Sequence, residues 1–246
     1  MNRICGAAAA AAAGLMYMRW RAEATKAMEH SVSVPGAGRE CRLLFISDLH
    51  SRKLQETDLQ SFPEKVDAVI IGGDLAELGT PVSVIDHNLA LLNRFGPLFA
   101  VRGNHDFRRL PLVESLYKKY KATLLINEWV QLDNGLILAG SDDELAGCPD
   151  HILSVPRESS GPFVWICHNP RTPETVHVNR RPDLILSGHT HGGQIRLGSF
   201  GLDEAGGIKE RFNSTLLISN GYGTRKIPFR LGAAPHIHLL NMINHR

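Results

Sequence analysis

The sequence has little of what marks several large classes of protein. Its four cysteines show no paired spacing typical of a zinc knuckle or a redox pair, so nothing in it demands disulfides or indicates a cellular compartment. The formal net charge is only +2, which does not indicate a nucleic-acid partner. We find no internal repeat and no heptad pattern. With 43% apolar residues, the chain can bury one sizeable core.

The amino-terminal segment differs in composition from the rest of the chain. Arg3 precedes an uncharged, alanine-rich run at residues 4–18. A membrane-spanning helix needs roughly 20 apolar residues, and this run is shorter. We therefore expect residues 1–38 to be an anchor or signal segment with a linker, weakly associated with a membrane through residues 1–21. The folded domain is expected at residues 39–246.

Other interpretations of this segment stay open. Ala22-Glu23-Ala24 resembles a signal cleavage site, but the arginines that directly follow the apolar run fit a cleaved signal poorly. A disordered or membrane-lying tail is the simpler alternative. Because cations after the run outnumber Arg3, the positive-inside tendency favours a cytoplasmic folded domain.

Short apolar runs recur along the folded part, with helix-compatible stretches between them at residues 81–95 and 111–121. This alternation indicates βαβ units. Asn134-Gly135 suits a tight turn and predicts a hairpin over residues 130–138. Further apolar stretches at 214–219 and 236–240 predict a mixed sheet system.

Five polar clusters each follow an apolar run directly. Sites of open α/β sheets lie at the carboxyl ends of strands, so we expect these clusters to converge. Carboxylates, an amide and imidazoles on separate segments are suitable ligands for divalent metals that activate water. The sequence therefore predicts a two-metal hydrolytic centre. The clusters are Asp48-Leu49-His50, Asp74, Gly103-Asn104-His105-Asp106, Cys167-His168-Asn169 and Gly188-His189-Thr190-His191.

The spacing within the clusters supports that prediction. Asp48 and His50 stand two apart at a strand end, where extended geometry points both side chains the same way, and the last cluster repeats this spacing. Gly72-Gly73 permits a close backbone approach, which makes Asp74 the candidate bridging ligand. The amide oxygen of Asn104 can bind a metal while His105 points elsewhere.

This ordered set closely resembles the calcineurin-like metallophosphoesterase superfamily, over roughly Leu43 to Arg196. The continuation Gly192-Gly193-Gln194-Ile195-Arg196 resembles its bacterial branch of small, membrane-associated or exported members. The resemblance implies an α/β fold, a four-layered αββα sandwich of two mixed sheets with a dinuclear metal site at the strand ends.

The resemblance also implies two ligand sets that share Asp74, with a bridging water or hydroxide. His105 would be a non-ligand catalytic residue that protonates the leaving oxygen or stabilises phosphoryl charge, and Asp106 would fix its tautomer. The ligand types suit Mn, Fe or Zn without selecting among them. One set is Asp48, His50 and His191, and the other is Asn104, His168 and His189.

The implied function is a metal-dependent phosphoesterase that cleaves a phosphodiester, phosphomonoester or pyrophosphate of a small or lipid-linked substrate. Some relatives cleave the pyrophosphate of a nucleotide-linked acylated sugar, and by that analogy an apolar groove should open beside the metals, toward the amino-terminal segment. Its absence would favour a small soluble substrate or a generic diesterase. The alternative function is a non-catalytic scaffold on the same fold, although a scaffold has no need of the full ligand set.

Residues outside the clusters carry weaker signals. Asp142 and Asp143 are expected to support the site or contact substrate, or else to lie in a solvated loop. A guanidinium binds phosphate in bidentate fashion, so Arg225, Lys226 and Arg230 are phosphate-binding candidates, with an exposed basic loop as the simpler expectation. A lone histidine is more often structural, and we expect structural or surface roles for His30, His87, His151, His177, His236, His238 and His245.

Overall fold

The structure is a computed structural model that describes residues 2–34, 40–153, 155 and 161–243. The Pro-Gly linker at 35–38, the expected domain boundary at 38/39 and His245 lie outside the described residues.

Helices and strands alternate over the first half of the described chain, and strands dominate the second half. The helices are α1 (Asn2–Glu23), α2 (Val82–Asn93) and α3 (Leu110–Lys119). The strands are β1 (Lys26–Ser33), β2 (Cys41–Ile46), β3 (Ala68–Gly72), β4 (Leu98–Val101), β5 (Thr123–Leu124), β6 (Glu128–Gln131), β7 (Ile137–Gly140), β8 (Ile152–Leu153), β9 (Phe163–Ile166), β10 (His177–Val178), β11 (Leu184–Ser187), β12 (Arg196–Leu197), β13 (Phe200–Gly201), β14 (Gly207–Arg211), β15 (Ser214–Ile218) and β16 (His236–Ile243).

Two six-stranded sheets organise the fold. Sheet A has the order β1-β16-β2-β3-β4-β5, and sheet B has the order β14-β15-β11-β9-β7-β6. Both are mixed: β16 runs antiparallel to β2 in sheet A, and the edge strands β14 and β6 run antiparallel to their neighbours in sheet B. The predicted hairpin is confirmed, because β6 and β7 pair with Gln131 opposite Ile137.

The core lies between the two sheets. Leu43 and Phe45 of β2 pack in the same apolar cluster as Val164 and Ile166 of β9, whereas Leu44 of β2 belongs to the cluster on the outer face. Both faces of β2 are therefore buried from Leu43 to Ile46, which explains why these four residues are all apolar. Since a one-residue slip would exchange the two faces, packing fixes the register and hence the position of each strand end.

The outer layers differ from each other. Helices α2 and α3 cover sheet A, with Ile85, Leu89 and Val113 buried against it. Sheet B is covered through Leu153 and Val176, from the short paired strands β8 and β10 and the turns beside them. The predicted class of two packed mixed sheets is confirmed, but the described part of this fourth layer contains no α-helix. Prolines, which lack the amide donor that a helix interior needs, interrupt this stretch at positions 149, 156, 162, 170 and 173.

The structure differs from expectation for residues 26–33, which the sequence placed in the linker. They form the edge strand β1, which pairs parallel with β16 from Lys26 opposite His236 to Ser33 opposite Ile243. The segment is polar because most of its side chains face solvent, and only Val32 is buried within it.

Helix α1 is attached to the body by its last turns. Ala22 is buried, and the amide of Arg230 donates to the Met18 carbonyl over 3.0 Å. Arg52 adds a hydrogen bond from Nη2 to the Glu23 carbonyl over 2.8 Å. The side chains at positions 5–17 are exposed.

Within the described ranges, no helix has both the length and the apolarity needed to cross a membrane.

Candidate metal centre

The five polar clusters meet where both sheets end. They follow β2, β3 and β4, which are adjacent and parallel in sheet A, and β9 and β11, which are adjacent and parallel in sheet B. Backbone bonds join neighbouring clusters, from the Asp48 amide to the Gly73 carbonyl over 3.0 Å and from the Gly188 amide to the His168 carbonyl over 2.9 Å. The ring of His168 connects the sheets, since its Nδ1 lies 2.8 Å from the Gly72 carbonyl oxygen.

Asp48, His50 and His191 form a compact group of ligand-type atoms. His50 Nε2 lies 3.0 Å from His191 Nε2, and His191 Nε2 lies 3.4 Å from Asp48 Oδ1. Two nitrogens that each lie about 2.1 Å from one ion would be about 3.0–3.4 Å apart. Without an ion, two neutral imidazoles at this distance would need one nitrogen to carry a proton and donate it to the other in a hydrogen bond. The three side chains therefore fit a divalent metal.

A second group surrounds Asp74. His168 Nε2 lies 3.3 Å from His189 Nδ1 and 3.4 Å from Asp74 Oδ2. Asp74 Oδ2 is also 3.7 Å from His50 Nε2, so its carboxylate lies between the two groups. The His105 amide donates to Asp74 Oδ1 over 2.8 Å, and the preceding Asn104 has a buried Oδ1 without a hydrogen-bond partner. A buried amide oxygen without a hydrogen-bond partner has lone pairs free to bind a cation.

Three of the histidines are electrostatically prepared to bind a cation. Burial lowers the pKa of His50 and of His189 to about 4, and it lowers the pKa of His191 well below its ordinary value. Their rings are therefore neutral at physiological pH, which leaves a nitrogen lone pair available to a metal.

Asp74 and His168 behave as a charge pair. Burial by itself would lower the pKa of His168, but the charge of Asp74 raises it above its ordinary value. Burial would likewise raise the pKa of Asp74, but His168 and His50 bring it below its ordinary value. In the metal-free chain a proton on His168 thus compensates the carboxylate, and a bound metal would replace that proton.

The backbone at this site is strained. Left-handed φ angles occur at five of the candidate ligands, and this conformation costs roughly 1–2 kcal/mol for each residue with a Cβ. Such strain concentrates at functional sites, where the surrounding structure enforces it. The residues are Asp48 (53°), His50 (49°), Asp74 (52°), His189 (68°) and His191 (51°).

Close backbone approach at Asp74 depends on glycine. Gly73 has a φ of +88°, and a Cβ there would meet His168 Nδ1 at 2.5 Å. A Cβ on Gly103 would overlap the Asp74 carboxylate. The glycines beside the clusters therefore make room for the convergence of carboxylate and imidazole.

His105 faces the same site. Its ring lies edge-on to His50 with a centroid distance of 5.1 Å, and its Nε2 is buried without a partner. Glu77 is also present, with Oε2 at 3.9 Å from His50 Nδ1 and Oε1 accepting from Ser51 Oγ over 2.8 Å. The sequence carried no signal for Glu77, which lies in the middle of the irregular loop between β3 and α2.

Asp106 has contacts other than the expected one. Its Oδ1 accepts from the Ala76 amide over 3.1 Å and its Oδ2 from the Gly103 amide over 2.9 Å. The described chain shows no hydrogen bond between this carboxyl and the His105 ring. Burial raises the pKa of Asp106 to about 7, and the nearby charge of Asp74 adds to the effect. Asp106 therefore holds the turn that carries Asn104 and His105.

Asp142 and Asp143 are both buried, so the solvated-loop interpretation is wrong. Asp142 Oδ2 accepts from the Cys148 amide over 3.0 Å, and Asp143 Oδ1 accepts from the amides of Leu145 and Ala146. Their carboxylates shape the loop after β7.

The histidines outside the clusters have surroundings consistent with structural or surface roles. His238 is buried and bonded to His30 and Ser219, and the partly exposed His87 contacts the Leu54 carbonyl. His236 Nε2 lies 3.3 Å from the side-chain Nδ2 of Asn220, and His151 and His177 are exposed.

The three basic candidates near the carboxyl end separate into two kinds. Arg230 is fully buried, donates to the carbonyls of His191, Ala233, Asn220 and Gly223, and therefore cannot lie in an exposed loop. These hydrogen bonds hold the backbone around His191 in place. Arg225 and Lys226 are exposed and line a cavity of about 390 Å³ together with His189 and His191.

Comparison with known proteins agrees with this geometry. The family model for calcineurin-like phosphoesterases matches residues 41–193. YpbG, an uncharacterized protein of Bacillus subtilis, is 38% identical over 96% of this chain and 93% of its own. Phosphodiesterase YaeI of Escherichia coli is 28% identical over 82% of each chain. The sulfate thiohydrolase SoxB of Thermus thermophilus shares the fold, with a TM-score of 0.50 and 13% identity over 82% of this chain and 56% of its own.

We predict that Asp106→Asn destabilises the protein by about 1–3 kcal/mol, because an amide NH₂ would face one of the two backbone N–H groups now paired with the carboxylate. Urea unfolding of metal-free protein in mildly alkaline buffer measures the effect. The exposed Asp150→Asn is the matched control and should change stability by less than about 0.5 kcal/mol. Equal stabilities of the two variants would contradict the turn-holding role of Asp106.

Proposed function

The chain belongs to the calcineurin-like phosphoesterase family, whose members use two divalent metal ions, and we propose that it is a metal-dependent phosphodiesterase. The observation that carries the proposal is the meeting of carboxylates, neutral imidazoles and an unpaired amide oxygen around Asp74. The phosphodiesterase name of the relative YaeI supports the choice of a diester bond.

We assign the two ions to the two groups of ligand atoms, with Asp74 shared because its Oδ2 lies near a histidine of each group. The mixed carboxylate and imidazole set is compatible with Mn, Fe or Zn. One ion would be held by Asp48, His50 and His191, and the other by Asn104, His168 and His189.

The protein's own groups have distinct tasks in this reaction. When bound, the ions supply Lewis-acid activation of a water and stabilise charge on the phosphoryl oxygens. His105 has a buried Nε2 without a partner, and we assign to this nitrogen the role of giving a proton to the leaving oxygen. Asp106 keeps the turn in place through its two amide bonds.

On the side of α1, the surroundings of the site favour a small polar substrate. A cavity of about 640 Å³ is lined by the last turns of α1 and by Glu77, and seven of its fourteen lining residues are charged. A lipid-linked or acylated nucleotide-sugar substrate would need an apolar groove on this side. The lining includes Arg19, Glu23, Arg52, Lys53, Asp58, Glu77 and Lys226.

We expect Asp74→Asn to lose one metal ion per chain and more than about 100-fold in kcat/KM, because it weakens the one ligand shared by both groups. The measurement is hydrolysis of bis(p-nitrophenyl) phosphate by Mn-reconstituted protein, with metal content determined on the same sample. Asp150→Asn serves as the control and should match wild type.

The same assay separates the alternatives. We expect the diester to be cleaved faster than p-nitrophenyl phosphate or a nucleotide pyrophosphate, and the reverse order would overturn the phosphodiesterase assignment. Silence with two bound ions would indicate a more demanding substrate. Failure of wild type to bind metal would favour a non-catalytic scaffold.

His105→Ala should slow release of an alkyl leaving group by about 10²–10³-fold, whereas p-nitrophenolate, which leaves without a proton, should be affected far less. Comparison of kcat for thymidine 5′-(methyl phosphate) and thymidine 5′-(p-nitrophenyl phosphate) measures this difference. Equal losses on both compounds, at unchanged metal content, would exclude the proton-donor role.

We also propose that α1 associates weakly with a membrane surface, with the folded domain on the cytoplasmic side as the positive-inside tendency favours. Support comes from Met16 and Trp20, which are 73% and 59% exposed beside Arg19. Replacing both Met16 and Trp20 by Ser should reduce co-sedimentation with phosphatidylglycerol-containing vesicles about tenfold or more. Leu145→Ser, at a residue 61% exposed elsewhere, is the control, and equal binding of all forms would refute the proposal.

A further inference from the structure

One wall of the cavity beside His189 and His191 carries cationic side chains that are not candidate metal ligands. It measures about 390 Å³, and Arg225 and Lys226 lie on its lining together with the two histidines. The cavity thus joins candidate metal ligands to a pair of cationic side chains.

Both cations are available to a ligand. Arg225 and Lys226 are exposed, and neither side chain forms a hydrogen bond or ion pair with any residue in the described ranges. Asp203 also lines the cavity, but one carboxylate leaves the two cations in excess.

Gln194 holds the loop of Arg225 and Lys226 against the segment that carries His189 and His191. Its Oε1 accepts from the Arg225 amide over 2.8 Å, and its Nε2 donates to the carbonyls of Arg225 and Ile227 over 3.2 and 3.0 Å. Its own carbonyl accepts from the Leu231 amide over 3.1 Å. Since Gln194 lies three residues after His191, the position of Arg225 is tied to that of a candidate ligand.

The chemistry of the loop indicates what it binds. A guanidinium offers paired donors that match two oxygens of a phosphate, and an ammonium adds a point charge. The phosphate under attack already has the metal centre to neutralise it. Cations placed beside that centre are therefore suited to a different anionic group of the same molecule.

We propose that Arg225 and Lys226 form a subsite for a second phosphate of the substrate, one that is not hydrolysed, and that Gln194 is its positioning residue. This inference rests on the proposed phosphodiesterase function and narrows its substrate class. The substrate is then a phosphodiester with a further phosphate, and Leu202 and Ile227 supply an apolar surface for the organic part between the two groups.

Two probes with the same scissile bond test the subsite. They are thymidine 5′-(p-nitrophenyl phosphate) and the same compound with an added 3′-phosphate. Wild-type protein loaded with Mn should have a KM about tenfold lower for the probe with two phosphates. Arg225→Gln, Lys226→Gln and Gln194→Ala should each raise that KM severalfold and leave kcat and the single-phosphate probe within about twofold.

Lys118→Gln on α3 is the matched control, since it removes an exposed cation outside the cavity and should retain the full preference. Absence of a preference in wild type would overturn the subsite. An equal loss of kcat on both probes in Arg225→Gln would also overturn it, because Arg225 would then act on the attacked phosphate. A variant that binds less metal than wild type would show that the loop supports the metal centre instead.

Failure of the proposed function can be told apart from failure of the subsite. If wild type hydrolyses neither probe, calorimetric binding of thymidine 3′,5′-bisphosphate and of thymidine 5′-monophosphate to the metal-loaded protein makes the same comparison without turnover. Tighter binding of the bisphosphate, lost in Arg225→Gln, would support the subsite on an inactive protein. Equal affinities would reject it.

Discussion

Asp74 is a carboxylate that is 2% exposed, and its charge has to be compensated at the place where the two sheets end. Burying a lone carboxylate is costly, so cationic or hydrogen-bonding groups must gather around it. His168 and the His105 amide do so in the metal-free chain, while the buried oxygen of the neighbouring Asn104 has no partner of its own. A pair of cations could take both the Asp74 carboxylate and the Asn104 oxygen as ligands. The close approach of the glycines and the strained backbone of five candidate ligands are consequences of this one requirement.

The packing of the two sheets offsets the free-energy cost of burying Asp74 and straining the backbone around it. The central strands of both sheets are buried on both faces, and their registers bring neighbouring strand ends within hydrogen-bond distance of each other. Strain at the loops can persist because the strands beneath them cannot move apart without exposing the core. Two long side chains add hydrogen bonds between segments far apart in the chain. Arg230 joins the carbonyls around His191, and Gln194 joins the loop of Arg225 to the same segment.

Much of the scaffold could be predicted because its elements are repetitive. The apolar strands, the helices near residues 82–93 and 110–119 and the Asn-Gly hairpin are all observed, since periodicity and turn chemistry act locally. Two features were not foreseen. β1 is an edge strand with mostly exposed side chains, so its sequence resembles a linker. The cover of sheet B is made of short strands and turns, whose apolar residues are too few to show a period.

The types of side chain at the site and their order follow from the amino-acid sequence alone, because residue type and position along a strand are properties of the chain. Examples are Asp48 and His50 two apart, Asp74 after two glycines, and His189 and His191 two apart. The partners of these side chains depend on the tertiary structure. Asp106 bonds to Ala76 and Gly103 instead of His105, Glu77 comes beside His50, and Arg230 is buried while Arg225 faces the cavity. These outcomes depend on contacts between residues far apart in the chain, and such contacts are set by how the two sheets pack and not by any local pattern.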